Sequence, residues 1–323
     1  MKIFVSGTFK EDSFAENVAV TLKAMGHEVC FPSVIKSSSL LGLPLLGEIE
    51  KRINHTGPLR FEKKIINQIK EFKPDMFFSV TQNYSAEFLA EVAKLTPKLV
   101  MWWGDPIALN YRMTLLSRSW TAIFLKDKSA VRKLNIIGVP AYFLNEAMNP
   151  LWHRPLASQQ NSALVIAGNY YNYRLALIEL LRDRGISLEL YGSKPPRWAP
   201  SEICKIHTGE YITKENKSRI FGAGLACLNS FSFFEGNSLN CRAFEIAGAG
   251  GLQLIEYKET IQDCFEPGRE LITFSSQEEL FSAIDRAKKD PGEMKKIREA
   301  GQRRAHSEHT YEQRLKTIFN ILC

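Results

Sequence analysis

The sequence has no apolar run approaching the roughly 20 residues that cross a bilayer. Its first residues, Met1-Lys2-Ile3-Phe4-Val5 running into Ser6-Gly7-Thr8, lack the apolar stretch of about 7–15 residues found in a secretory leader. The six cysteines (Cys30, Cys204, Cys227, Cys241, Cys264 and Cys323) include no Cys-x-x-Cys and no cysteine–histidine cluster at zinc spacing. These absences predict a reduced, cytoplasmic protein without structural metal or transmembrane segment. There is no G-x-x-x-x-G-K-[ST], which argues against phosphate binding of the Walker type. Gly248-Ala249-Gly250-Gly251 closes a predicted helix instead of following a strand, so it is not a dinucleotide fingerprint. A G-x-S-x-G elbow is missing as well. So is an Asp-x-Asp pair, the simplest bidentate site for a metal held against a nucleotide diphosphate; a metal-independent site with no bound cofactor is expected.

What is present fits about two domains of ordinary size: 323 residues, 45% hydrophobic and 24% charged. The net charge of +7 favours anionic partners, which include nucleotides, phospholipid head groups and nucleic acid. Strand and helix alternate from the start. Lys2–Ser6, His27–Phe31, Asp75–Val80, Lys98–Trp103, Trp120–Leu125 and Pro140–Phe143 read as strands, with amphipathic helices over Phe14–Met25, Leu59–Phe72, Ser85–Leu95, after Asp105-Pro106, and over Ser129–Leu134. Such alternation predicts a parallel sheet covered on both faces. Ser37–Leu46, rich in leucine, either packs on its own domain or contacts a lipid-linked acceptor or membrane surface. Periodicity fails between Asn145 and Ser162, which places a linker there, and a second β/α series begins at Ala163. The expected division is 1–150, 151–307, and a terminal helix over 308–323 that packs on the first domain.

The chain is organised around Phe233–Tyr257: a polar loop, a helix over about Asn240–Ala249, a Gly250-Gly251 stop and a buried strand over Leu252–Ile255. Asn240 suits the helix cap, and the helix start offers unpaired N–H groups and a positive dipole end to an anion such as phosphate. Arg242 and Glu245, three apart, share a face beside that end. Two readings fit them: a guanidinium for a diphosphate with a carboxylate for ribose hydroxyls, or an i,i+3 surface ion pair of roughly 0.2–0.5 kcal/mol.

Five spaced motifs carry a resemblance. Gly168-Asn169 with Arg174, Tyr191-Gly192, Asn240-x-Arg242-x-Phe244-Glu245, Phe265-x-Pro267-Gly268-x-Glu270 and His309-Thr310-Tyr311-x-x-Arg314 occur in an order that resembles the CgeB-like (spore maturation protein) glycosyltransferase family. The match covers nearly the whole second domain, and Lys73-Pro74-Asp75 and Trp102–Asp105 are compatible with the companion domain. The resemblance implies an α/β, GT-B architecture: two Rossmann-like, doubly wound parallel-sheet domains facing across a cleft, with the C-terminal helix crossing back. It implies that the second domain holds a nucleoside-diphosphate sugar, with Glu245 on the ribose, Asn240 and Arg242 at the diphosphate, Arg174 approaching the same phosphates from the Gly168-Asn169 loop, and Tyr191-Gly192 bordering the base. Helix surface and strand-end turn are the plain alternatives for Arg174 and Tyr191-Gly192. Where the commonest retaining enzymes of this architecture have a second glutamate, eight positions before the ribose one, this chain has Asn237. Retention and inversion both stay open.

For proton removal from an acceptor hydroxyl the candidate is Asp105; an Asp ahead of Pro106 is first of all what a structural helix cap looks like, and both roles can hold. His153 is read as a surface histidine of the hinge. The basic run Lys288, Lys289, Lys295, Lys296, Arg298, Arg303 and Arg304 is interspersed with acids and reads as a solvated face, not a nucleic-acid stripe. The expected function is transfer of a sugar from a nucleoside-diphosphate donor to an acceptor hydroxyl on a glycan, lipid-linked glycan, protein or small molecule. A nucleotide-sugar epimerase and a catalytically silent sugar-nucleotide-binding or assembly protein are the alternatives.

Overall fold

The computed structural model describes residues 1–32, 60–81, 84–106 and 113–322. The chain forms two compact units, Met1–Asn145 with Leu315–Cys323, and Glu146–Arg314. The leucine-rich segment Ser37–Leu46 and the helix expected after Asp105-Pro106 lie outside the described residues. None of the described helices is long and apolar enough to cross a membrane.

The first unit carries β1 (Lys2–Ser6), α1 (Phe14–Ala24), β2 (Glu28–Cys30), α2 (Arg60–Phe72), β3 (Met76–Ser79), α3 (Ala86–Leu95), β4 (Lys98–Trp103), β5 (Ala122–Leu125), α4 (Lys128–Ile136) and β6 (Ala141–Phe143). Its strands form one sheet in the order β2-β1-β3-β4-β5-β6, with every pairing parallel. Parallel strands are covered on both faces, so their sequences need no alternation. Met76-Phe77-Phe78-Ser79 and Ala122-Ile123-Phe124-Leu125 are accordingly buried at every position. Helix α3 starts at Ser85, whose Oγ accepts the amide of Phe88. Buried Glu62 of α2 in turn accepts the Ser85 amide at 2.6 Å and its hydroxyl at 2.7 Å, tying the two helices together.

The second unit carries β7 (Leu164–Gly168), α5 (Asn172–Asp183), β8 (Leu188–Gly192), α6 (Ser201–Ile206), α7 (Lys214–Ala223), β9 (Ala226–Asn229), α8 (Cys241–Gly248), β10 (Gln253–Glu256), β11 (Ile272–Phe274), α9 (Gln277–Lys289) and α10 (Pro291–Glu308). Its sheet runs β11-β10-β9-β7-β8, again all parallel. The order reverses between β7 and β9, so the helices leaving these two strands go to opposite faces and open a crevice beyond the strand ends. Short α6, which follows Pro200, has no periodicity long enough to announce it in the sequence.

The terminal helix α11 (Tyr311–Leu322) begins in the second unit, and from Leu315 its residues belong to the first. Its start is a capping box: Gln313 Oε1 accepts the Thr310 amide at 2.8 Å and Thr310 Oγ1 accepts the Gln313 amide at 3.3 Å. Within the first unit, Phe319 packs edge-on against His27, and Lys98 donates to the Leu322 carbonyl at 3.0 Å. At α9 the spacing Ser276-x-x-Glu279 is that of a capping box, but its return bond is displaced by one residue: Ser276 accepts the Glu279 amide, and the Glu279 carboxylate reaches back to the amide of Ser275.

One expectation fails on α10. Lys295, Lys296 and Arg303 face solvent, but Arg298 turns inward and donates to the carbonyls of Gly222, Gly224 and Leu225. Carbonyls left unpaired at the end of α7 and the start of β9 need donors, and a guanidinium supplies several from one side chain.

Behind α8, His309 is wedged between the rings of Phe244 and Phe265, with centroids 5.1 and 5.0 Å away. Arg314 donates to its Nδ1 at 2.9 Å, so the proton sits on Nε2, which donates to the Cys264 carbonyl at 2.7 Å. Burial pushes the His309 pKa down to about 4. In the unfolded chain it titrates near 6.5. Below that pH the unfolded state binds a proton that the folded state refuses, so stability is full above about pH 6.5 and falls toward pH 4, by at most about 1.4 kcal/mol per pH unit. Melting temperature measured against pH is expected to show this slope in the wild type and a reduced one in His309→Gln; identical slopes would remove His309 as the cause.

Candidate nucleotide site at the strand-order reversal

The crevice between the ends of β7 and β9 is where an α/β sheet of this order can hold a ligand. Its floor is made by two glycines. Gly168 and Gly192 are register partners at the ends of β7 and β8, with φ of 120° and 110°. A Cβ on Gly192 would lie 2.5 Å from the Gly168 carbonyl oxygen. The close approach that Gly192 permits is therefore to Gly168. Tyr191 is likewise engaged by the protein: its hydroxyl donates to Glu189 at 2.9 Å and its carbonyl accepts the Tyr170 hydroxyl at 2.9 Å. The exposed side chain of Asn169 accepts the Ser193 hydroxyl at 2.7 Å.

From the other side, β9 ends in Asn229 and Ser230, a 3-10 turn spans Phe233–Glu235, and α8 follows. Asn240 is the cap, its Oδ1 accepting the Ala243 amide at 3.2 Å. Arg242, in the first turn of α8, sends its guanidinium across the crevice onto Gly168. A Cβ there would collide with Nη2 and lie 3.1 Å from Cζ. Nη1 donates to Asn229 Oδ1 at 3.2 Å. A helix N-terminus and a guanidinium thus converge at the switch point, and both favour an anion.

Glu245, one turn further along α8, goes elsewhere. It is only 8% exposed, and its Oε1 lies 3.0 Å from Lys217 Nζ of α7 and 3.8 Å from His153 Nε2. The i,i+3 spacing puts Arg242 and Glu245 on one side of the helix, but their long side chains diverge to different partners instead of pairing with each other. His153 is not a surface residue: its exposure is 0%. Its Nδ1 accepts the Asn149 amide at 3.1 Å, which leaves the proton on Nε2, directed at the carboxylate.

Arg174 is neither a free phosphate ligand nor a surface arginine. It is 2% exposed and donates to the Asn169 carbonyl at 2.6 Å, the Tyr171 hydroxyl at 3.0 Å, and the Ser230 hydroxyl and carbonyl at 3.2 and 2.8 Å. Burial, then the neighbouring charge of Arg242, brings its pKa down to about 10, still charged at neutral pH. The reason is geometric. The turn after β7 is so short that α5 brings Arg174 back over the end of β9, where the backbone of Ser230 needs donors. Asn237 is exposed in the loop before α8, with its Nδ2 3.5 Å from Glu259 Oε2. Asp105 is exposed in the bend after β4, in the first unit.

Of the residues expected at a donor site, Gly168, Asn240 and Arg242 come together at the crevice, Arg174 braces it from within, and Glu245 sits one helical turn away. Lys217 has no signal in the sequence beyond its place on a polar helix. Asn229 had one, a lone amide ending the apolar strand Ala226-Cys227-Leu228.

Two units, each an all-parallel sheet of six or five strands with helices, are the make-up of the GT-B fold. The chain superposes on sucrose-phosphate synthase from Thermosynechococcus elongatus with a TM-score of 0.71 at 12% identity, covering 99% of this chain and 98% of that one. Anabaena HepE in complex with UDP-glucose gives 0.67 at 11% identity, with 100% and 99% covered, and a glycosyltransferase from Rickettsia africae gives 0.65 at 14%, with 99% and 97%. By sequence, residues 174–320, which include β9 and α8 but not β7, match a family model described as glycosyl transferase-like. No curated protein matches the sequence.

Arg174→Met is expected to lower the free energy of unfolding by about 2–4 kcal/mol, because it strands two carbonyls and two hydroxyls. Chemical denaturation checks this, and a loss below about 1 kcal/mol would show that the four bonds are dispensable. Gly168→Ala forces a side chain into positive φ and against Arg242. Its expected cost is about 1–3 kcal/mol from backbone conformation alone, read in the same experiment.

Proposed function

We propose that the protein is a glycosyltransferase that moves a sugar from a nucleoside-diphosphate donor to an acceptor hydroxyl. The observation that carries this reading is the placement of the Arg242 guanidinium and the α8 N-terminus together at the β7/β9 switch point. Two positive groups fixed at a strand-end crevice suit a diphosphate, and they suit it better in the reaction than before it. As the bond from the anomeric carbon to the phosphate oxygen breaks, negative charge grows on the diphosphate, so donors already aimed there stabilise the departing group most. The match of residues 174–320 to a glycosyl transferase-like family and the likeness of fold to HepE, solved with UDP-glucose, point the same way. A uridine diphosphate hexose is the first donor to test, and the CgeB-like resemblance is the finer family assignment.

In this reading Glu245, its Oε1 neutralised by Lys217, receives the ribose hydroxyls, Asn240 and Arg242 hold the diphosphate, and Gly168 leaves room for the guanidinium above the sheet. Arg174 takes no phosphate; it stiffens the loop that carries Asn169 and so borders the donor indirectly. Asp105 is the base that takes the acceptor proton, with the donor held by residues 151–307 and the acceptor by 1–150. Arg242 and the helix dipole supply the countercharge that a metal supplies elsewhere, so turnover is expected to survive a chelator.

A nucleoside diphosphate is expected to raise the melting temperature of the wild type, and Arg242→Ala and Glu245→Ala are expected to lose most of that rise. At a concentration 100 times its dissociation constant, a ligand adds about 2.7 kcal/mol to stability. Full response in both folded variants would move the site elsewhere. Product analysis then separates the activities: a new glycoside supports transfer, an epimerised donor supports an epimerase, and an unchanged donor supports a binding protein.

A further inference from the structure

Arg242 cannot hold its position alone: an arginine side chain has four rotatable bonds, and fixing them costs conformational free energy. What fixes it is a chain of side-chain amides running beneath the crevice. Gln253 of β10 donates from Nε2 to the Ala243 carbonyl at 3.1 Å. Its Oε1 accepts from Asn229 Nδ2 at 3.1 Å. Asn229 Nδ2 also donates to Asn240 Oδ1 at 3.1 Å, while Asn229 Oδ1 accepts from Asn240 Nδ2 at 3.1 Å and from Arg242 Nη1 at 3.2 Å. Asn229 and Gln253 are buried, and Asn229 has both its N–H bonds and its oxygen engaged.

The orientation of every amide in this chain is forced. Arg242 can only donate, so the atom of Asn229 facing it is the oxygen. The Ala243 backbone N–H can only donate, so Asn240 presents its oxygen to the helix and to Asn229 Nδ2. The Ala243 carbonyl can only accept, so Gln253 turns its nitrogen toward α8 and its oxygen toward Asn229. Flipping any one amide would oppose like partners at two or more contacts. The helix cap, the strand end and the guanidinium are therefore locked as one unit, with Asn229 the only member that touches the other three.

We infer that Asn229 is the positioning residue of the proposed diphosphate site: it aims Arg242 and holds the α8 cap in register with it, without contacting the nucleoside itself. This rests on the reading of the crevice as a diphosphate site. Because the role acts through Arg242, it has a signature that ordinary packing lacks. Asn229→Ala removes the acceptor and leaves a cavity. Asn229→Asp keeps the shape, replaces both N–H donors with a second oxygen, and places a carboxylate against the guanidinium, neutralising it. Both are expected to weaken binding.

The test is calorimetric binding of uridine and of uridine diphosphate to the full chain, comparing wild type, Asn229→Ala, Asn229→Asp, Arg242→Ala and the Asn229→Ala/Arg242→Ala pair, with unliganded melting curves as a check on folding. Expected is a loss of about tenfold or more in diphosphate affinity for both Asn229 variants, about 1.4 kcal/mol, with uridine affinity unchanged. In the Arg242→Ala background the second substitution is expected to cost less than twofold, since there is no guanidinium left to aim. Equal losses for uridine and its diphosphate, or losses that add fully in the pair, would reduce Asn229 to a structural residue while leaving the diphosphate site standing. Absence of diphosphate binding by the wild type would overturn the site itself and this role with it. If the alanine variant does not fold, Asn229→Asp decides: unchanged diphosphate affinity there rejects the inference.

Discussion

The second unit depends on one contact, the guanidinium of Arg242 lying on the Cα of Gly168 at the place where the strand order turns round. For that contact to exist, β7 must end in a residue without a side chain, β8 must end in another so that the two backbones can approach, and α8 must start close enough for a side chain from its first turn to cross. Each condition is a local choice of residue. Together they place a positive charge where an open parallel sheet leaves its crevice.

Around that contact the polar groups fall into two systems with different tasks. Buried Arg174 and half-buried Arg298 are guanidiniums spent on backbone carbonyls, one at the end of β9 and one at its start. Both sit where short connections leave acceptors that the ladders cannot reach. Among the described residues Arg242 donates to one side-chain oxygen, that of Asn229, and so keeps donors in hand. The distinction between a brace and a ligand-binding arginine is therefore not one of charge or burial alone but of how many of its five donors the fold has already used. Glu245 shows the same principle with the sign reversed: Lys217 and His153 both address Oε1.

The helix stop at Gly250-Gly251 and the buried His309 belong to the same construction. Phe244, on the far side of α8 from the crevice, is held between His309 and Phe265, so the helix is fixed from behind by a histidine that burial keeps uncharged. The segment that supplies His309 continues into α11, whose end lies with the first unit. Arg314, in the first turn of α11, lies over the Phe244 ring and donates to His309, so the start of that helix is tied to the back of α8.

Much of this was legible from the chain alone. Strand and helix periodicity, the Asn240 cap and the Thr310–Gln313 box are decided within a few residues of one another, so sequence determined the α/β class, the parallel sheets and the start of α8. What only the tertiary structure decided is which polar side chains face each other across elements far apart in the sequence. Arg174 became a brace because Ser230 lies beneath it, 56 residues on. His153 was buried because α8 brings Glu245 to it. Asn229 gained its place because β9 ends where α8 starts and beside Gln253, the first residue of β10. Local pattern fixes where a side chain starts; what it can bond is set by the neighbours that folding supplies, and these carry no periodicity to read.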